Sequence, residues 1–227
     1  VPYIDWTFFF HAWELKGRVP QIFEHPGHGA AARELYEQGQ DLLARIVRDG
    51  SLTARGVYGF WPAAGDADDI VFFDPATPDR ELVRFPMLRQ QGVMADDKPN
   101  RSLADFVAPR ELGLRDHVGA FAVTAGFGAD ALVAGYQADR DDYSAIMVKT
   151  LADRLAEAFA EWLHARVRQD WGYGEGEALT PEDLVAERYR GIRPAFGYPA
   201  CPDHSEKFRL FDLLEARACG LDLTESG

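Results

Sequence analysis

The amino-acid sequence predicts an α+β protein with a mainly antiparallel sheet. Three observations carry this. Short β-type runs gather in the first half, the longest helical periodicity lies in the second, and strands and helices nowhere alternate in the βαβ manner of a parallel sheet. The chain also has no glycine fingerprint of a dinucleotide-binding fold and no phosphate loop.

Element by element, residues 1–13 are rich in aromatics (Tyr3, Trp6, Phe8, Phe9, Phe10, Trp13) and are expected to pack against the body. Residues 30–49 place Leu35, Leu42, Leu43, Ile46 and Val47 at amphipathic helical spacing, and Gly50 ends that helix. Two β runs follow, at 54–62 (Val57, Tyr58, Phe60, Trp61) and 69–73, with a hairpin turn expected over 65–68. Alternation predicts a third strand at 81–85. Residues 96–102 read as a polar loop, 103–107 as either a short strand or a turn of helix, and 117–125 as a buried strand.

The second half is mostly helical. Residues 141–169 carry Tyr143, Met147, Leu151, Leu155, Phe159, Leu163 and Val167 at intervals of four. A helix of that length spans roughly 40 Å. Thr180-Pro-Glu-Asp183 has the residues of a helix start: Thr180 at the N-cap, Pro181 at the first helical position and Asp183 at the third. Residues 205–217 predict a further helix, with Ser205 as its cap.

Composition narrows the function. With 227 residues the chain can bury a substantial core, and its 47% apolar and 27% charged residues are ordinary for a globular protein. The 37 acidic residues against 24 basic ones give a net charge of −13, which argues against nucleic acid or an anionic membrane as the main partner. Two cysteines are too few for a disulfide scaffold and suit a reduced, cytoplasmic setting. No apolar run approaches the roughly 20 residues that span a bilayer.

The densest chemistry lies in Arg193-Pro-Ala-Phe-Gly-Tyr-Pro-Ala-Cys-Pro-Asp-His-Ser-Glu-Lys207, which packs three prolines and four charged side chains into fifteen residues. Pro199 and Pro202 exclude a helix interior and a central strand, so this is a stiff loop. Arg193 offers forked donors for a carboxylate, Gly197 allows close approach of a ligand to the backbone, and Tyr198 supplies an aromatic face with a polar tip. Such a loop can grip a zwitterionic, partly aromatic small molecule. It can equally be a proline-stiffened turn whose arginine pairs with a surface acid.

Cys201, Asp203 and His204 invite a metal or thiol reading, but one cysteine and one histidine lack the second ligand pair of a zinc site. The competing reading makes Asp203 or Ser205 a helix cap, while His204 packs or binds backbone. His11, His25, His28, His117 and His164 have no ligand spacing. Asp153 and Glu157, four apart on the long helix, share a face that is either an acid pair, a contact for a cationic partner, or a solvated surface with Lys149, Arg154 and Glu161. Asp5, set between Ile4 and Trp6, needs a backbone cap or a ligand amine.

Five segments in one order carry a family resemblance. They are Tyr3-Ile-Asp-Trp6, Asp97-Lys-Pro-Asn100, Ile146-Met-Val-Lys-Thr-Leu-Ala-Asp-Arg-Leu-Ala-Glu-Ala-Phe-Ala-Glu161, Trp171-Gly-Tyr173 and Gly191-Ile-Arg-Pro-Ala-Phe-Gly-Tyr-Pro-Ala-Cys-Pro-Asp-His204. The chain resembles, from Val1 to Ser226, the activation domain of cobalamin-dependent methionine synthase. The resemblance implies a C-shaped single α+β domain over 1–227, with a twisted sheet flanked by helices and one long helix near 141–169. It implies binding of S-adenosylmethionine for reductive methylation of cob(II)alamin to methylcobalamin, as a non-catalytic module of a methyltransferase.

By the same resemblance, Asp5 holds the methionine amino group and Arg193 its carboxylate. Ala195, Gly197 and Tyr198 line the pocket, and Glu187 lies near the sulfonium end. Asp153 and Glu157 face the cobalamin domain. No residue here is expected to be catalytic or to hold a metal; cobalamin and zinc belong to other domains of the parent enzyme. Flavodoxin or a related flavoprotein reductase supplies the electron. The family continues after Leu-Thr-Glu-Ser into strands carrying two adjacent tyrosines, which are expected to lie beyond Gly227. The alternative is a docking domain for the cobalamin domain and reductase with an incomplete ligand site.

Overall fold

A computed structural model describes residues 2–95, 98–172 and 174–225. Asp97 and Tyr173 of the quoted segments, Asp96 at the start of the polar loop, Val1 and Ser226 lie outside the described residues. The chain divides into two compact units, Val1–Arg55 with Val123–Tyr189, and Gly56–Ala122 with Arg190–Gly227.

The first unit is helical. α1 (Trp6–His11) begins at Asp5, whose carboxylate accepts the Thr7 N–H at 2.8 Å. α2 (Gly29–Asp49) ends on Gly50 in the left-handed conformation, as its apolar spacing predicts. α3 (Ala129–Ala138) packs on α4 (Asp142–Trp171), the long helix, whose N-cap Asp141 accepts the Ser144 N–H. α5 (Pro181–Val185) begins on a complete capping box between Thr180 and Asp183. Phe9, Phe10, Leu42, Leu43, Ile46, Met147, Val148 and Leu151 form the core of this unit; of the aromatic opening Phe9 and Phe10 are core, Tyr3, Trp6 and Trp13 pack against it, and Phe8 is exposed. Of the four-spaced α4 positions, Met147, Leu151, Leu163 and Val167 are buried while Tyr143 remains 43% exposed.

The second unit is built on a four-stranded sheet in the order β3-β2-β1-β4. β1 (Thr53–Asp66) and β2 (Asp69–Asp74) pair antiparallel, and so do β2 and β3 (Thr77–Pro86). The hairpin turn is tighter than the expected 65–68: Gly65 already pairs with Ile70, and Ala67 takes a left-handed φ of 54° at the tip. Residues 103–107 resolve to a 3-10 turn, Leu103–Phe106, capped by the fully buried Ser102. β4 (Asp116–Phe127) is less buried than its apolar composition suggests, with only Ala122 and Ala125 fully covered.

α6 (Glu206–Leu213) is shorter than the expected 205–217, because Glu215 turns left-handed (φ 51°) and the chain closes with a 3-10 turn at Ala216–Cys219. Among the described residues, no helix is long and apolar enough to cross a membrane.

Candidate functional site

The proline-rich loop is stapled by its own backbone. The Tyr198 N–H donates to the Ala195 carbonyl at 3.1 Å, the Gly197 N–H to the Cys201 carbonyl at 2.9 Å, and the Cys201 N–H to the Tyr198 carbonyl at 2.9 Å. The Leu103 N–H donates to the Ala200 carbonyl at 2.8 Å, tying the loop to the 3-10 turn. Its side chains sort into two sets. Phe196 stacks on Phe85 (6.4 Å between centroids) and Cys201 is 3% exposed in the core of this unit, whereas Tyr198 is 60% exposed.

This sorting assigns the ambiguous residues. The Cys201 thiol donates to the Ala195 carbonyl at 3.2 Å, and burial pushes its pKa up, away from the thiolate a nucleophile needs. Asp203 accepts the Ser205 N–H at 2.8 Å and the Ser205 hydroxyl at 2.7 Å, and these bonds hold its carboxyl below the usual range. Ser205 stands at the N-cap of α6 but makes no capping bond with its side chain, so of the two expected caps Asp203 is the one that engages this turn. The His204 ring lies against Gly197: a Cβ at that glycine would collide with it, and φ there is +103°. Gly197 therefore admits a packed imidazole on its α-carbon, a use its sequence position did not reveal. Among the described residues, no three His, Cys, Asp or Glu side chains gather where a metal ion could be held.

Cysteine chemistry offers a direct check. Iodoacetamide at mildly alkaline pH is expected to label Cys219, which is partly exposed, and to spare Cys201 in the folded protein. Mass spectrometry of the digest reads this, and labelling of Cys201 first would place its thiol at the surface.

The other candidate residues lie in the first unit. Asp5 is half-buried beside Trp6, which packs edge-on to Phe9 at 5.1 Å and to Tyr36 at 4.9 Å. One Asp5 oxygen caps α1, so the backbone-cap alternative is realised. Glu187 is exposed and left-handed, with φ 55°. Asp153 and Glu157 are both exposed on one face of α4, and the Arg154 guanidinium beside them lies 5.5 Å from the Phe8 ring centre.

One arrangement had no signal in the sequence. Arg168, 7% exposed on α4, grips Glu177 through Nη2 at 2.6 and 2.5 Å and Nε at 3.1 Å. The Tyr189 ring lies 5.0 Å from the same guanidinium, and the His164 ring meets Tyr189 edge-on at 4.7 Å. His164, without ligand spacing, is a buried packing residue here.

The whole chain, residues 1–227, matches the family model for the activation domain of vitamin B12 dependent methionine synthase. The chain belongs to that family. A crystal structure of the MetH reactivation domain bound to AdoHcy superposes with a TM-score of 0.91 at 47% identity, over 99% of this chain and 69% of that one. The α+β fold with its long helix is thus that of a MetH reactivation domain, and the chain is a domain of a methyltransferase that works with cobalamin.

Proposed function

We propose that this activation domain binds S-adenosylmethionine as the methyl donor for reactivating the cobalamin of its parent enzyme. The observation that carries the reading is the AdoHcy-bound MetH reactivation domain at 47% identity, since AdoHcy is the demethylated product of that donor. Asp5 takes the amino group and Arg193 the carboxylate of the methionine moiety. Ala195, Gly197 and Tyr198 line the pocket, and the Glu187 carboxylate faces the sulfonium. A negative charge there favours the cationic donor over its neutral-sulfur product.

Cobalamin, held by another domain, supplies the nucleophile that accepts the methyl group. This chain's residues bind and orient the donor. That division of labour leaves Cys201 without a chemical role, in keeping with its burial. Asp153 and Glu157, exposed on α4, face the cobalamin domain, and flavodoxin or a related flavoprotein reductase supplies the electron in the cytoplasm. Zinc belongs to a separate part of the parent enzyme. Residues 1–227 form one functional module.

Isothermal titration with S-adenosylmethionine tests the assignments. Arg193→Ala removes charge-assisted hydrogen bonds worth about 1.5–3 kcal/mol and is expected to weaken binding roughly 10- to 100-fold. Asp5→Asn is the cleaner probe, because asparagine caps a helix as well as aspartate does and only the charge is lost. Unchanged affinity in both variants would remove these residues from the site. Absence of binding, with salt-sensitive association to the cobalamin domain, would favour a docking role instead.

A further inference from the structure

Glu187 ends α5 in a place where glycine is the usual choice. The Arg188 N–H donates to the Asp183 carbonyl at 2.8 Å and the Glu187 N–H to the Leu184 carbonyl at 3.0 Å. These are the two bonds of a Schellman C-cap, with Glu187 in the left-handed position at φ 55°. Residues with a Cβ are disfavoured there, and glutamate has no short side chain to compensate locally. A non-glycine residue persists in such a conformation when its surroundings over-determine it, and strain of this kind concentrates at ligand-holding positions.

The surroundings that do so are on the same unit. Two residues beyond Glu187, the Tyr189 ring stacks over the buried Arg168 guanidinium, which the Glu177 carboxylate locks in two-pronged geometry. His164, itself buried, meets the Tyr189 ring edge-on. On the near side, Leu184 is 3% exposed, and the Arg188 side chain reaches the Asp183 carboxylate at 3.3 Å. The chain is therefore pinned at 184 and at 189, and the exposed Glu187 stands between the two pins.

We propose that Arg168, Glu177 and Tyr189 are positioning residues that hold Glu187 in its strained conformation, so that its carboxylate is presented to the sulfonium of the bound donor. This rests on the ligand reading above. It adds that the preference for the cationic donor over its neutral product is set by a cluster around the buried Arg168 that itself touches no ligand.

The test titrates the parent enzyme, without reductant, with S-adenosylmethionine and separately with S-adenosylhomocysteine. Glu187→Gln is expected to cut the preference for the cationic ligand several-fold. Tyr189→Leu should cut it by a similar factor, leaving affinity for the neutral ligand nearly unchanged, and Tyr189→Phe, which keeps the ring over Arg168, should retain it. The double variant Glu187→Gln with Tyr189→Leu should lose no more than either single one. Equal weakening of both ligands by Tyr189→Leu, or additive losses in the double variant, would overturn the proposal and leave donor binding through Arg193 and Asp5 standing. An unchanged preference in Glu187→Gln would overturn the Glu187 assignment and this proposal together. Failure of both ligands to bind the unmodified enzyme would refute the ligand reading itself.

A ligand-free arm guards against misfolding of the Tyr189 variant. Glu187→Gly should raise the melting temperature by about 2 °C, as relief of a left-handed residue predicts, while cutting the cationic preference as Glu187→Gln does. A lower melting temperature, or a retained preference, would overturn the proposal.

Discussion

Replacing Phe9 with alanine costs about 3–5 kcal/mol of folding stability. Phe9 is fully buried and meets Trp6 and Phe10 edge-on, with ring centres 5.1 and 5.6 Å away. Its ring presses onto α2 at Gly39, where a Cβ would come within 2.8 Å of Phe9 Cζ. The site is packed from every side by helices that hold one another, so it cannot collapse to fill the space the ring leaves. The loss is a large fraction of the 5–15 kcal/mol that holds a typical domain. Under the proposed ligand assignment it also reaches binding, because Asp5 stands at the N-cap of α1. Urea denaturation followed by tryptophan fluorescence measures it, and Phe9→Leu should recover much of the loss. A change below about 1 kcal/mol would show that the ring is not the keystone of this core.

Glu177→Ala is expected to cost about 2–4 kcal/mol, less than the 3–5 kcal/mol of a fully buried pair because Glu177 keeps 23% of its side chain exposed. The damage comes from what stays behind: the Arg168 side chain is 8% exposed and loses the carboxylate that offsets its desolvation. A double variant, Arg168→Met with Glu177→Leu, removes both charges and should be markedly more stable than Glu177→Ala alone. Thermal unfolding of the three proteins decides it. If the double variant is no better than the single one, packing rather than uncompensated charge sets the cost.

The elements legible in the sequence are those whose signal is local and redundant. α2 and α4 combine long apolar periodicity with terminal caps, and the β1–β2 hairpin joins two β-rich runs across a short polar turn. α1 was hidden because an all-round aromatic segment has no polar face to give a period, and α3 because its many apolar residues are spread too evenly around it. The truncation of α6 depends on Glu215 turning left-handed, which no residue preference at that position announces. Among site residues, the stiffness of the Arg193 loop was legible from its prolines. The inward turn of Cys201 was not, since a cysteine between prolines can face either way until Phe196 and Leu103 settle which side meets the core.

The sequence by itself determined the fold class, the long helix, the stiff loop and, through its motifs, the family. These follow from period, punctuation and residue order along the chain. Only the tertiary structure decided that the Cys201 sulfur is structural, that His204 packs on Gly197, and that a buried arginine, a glutamate and a tyrosine distant in sequence meet beside Glu187. Burial and pairing are properties of neighbours in space, and residues 168, 177 and 189 become neighbours only when α4 and the segments after it fold together.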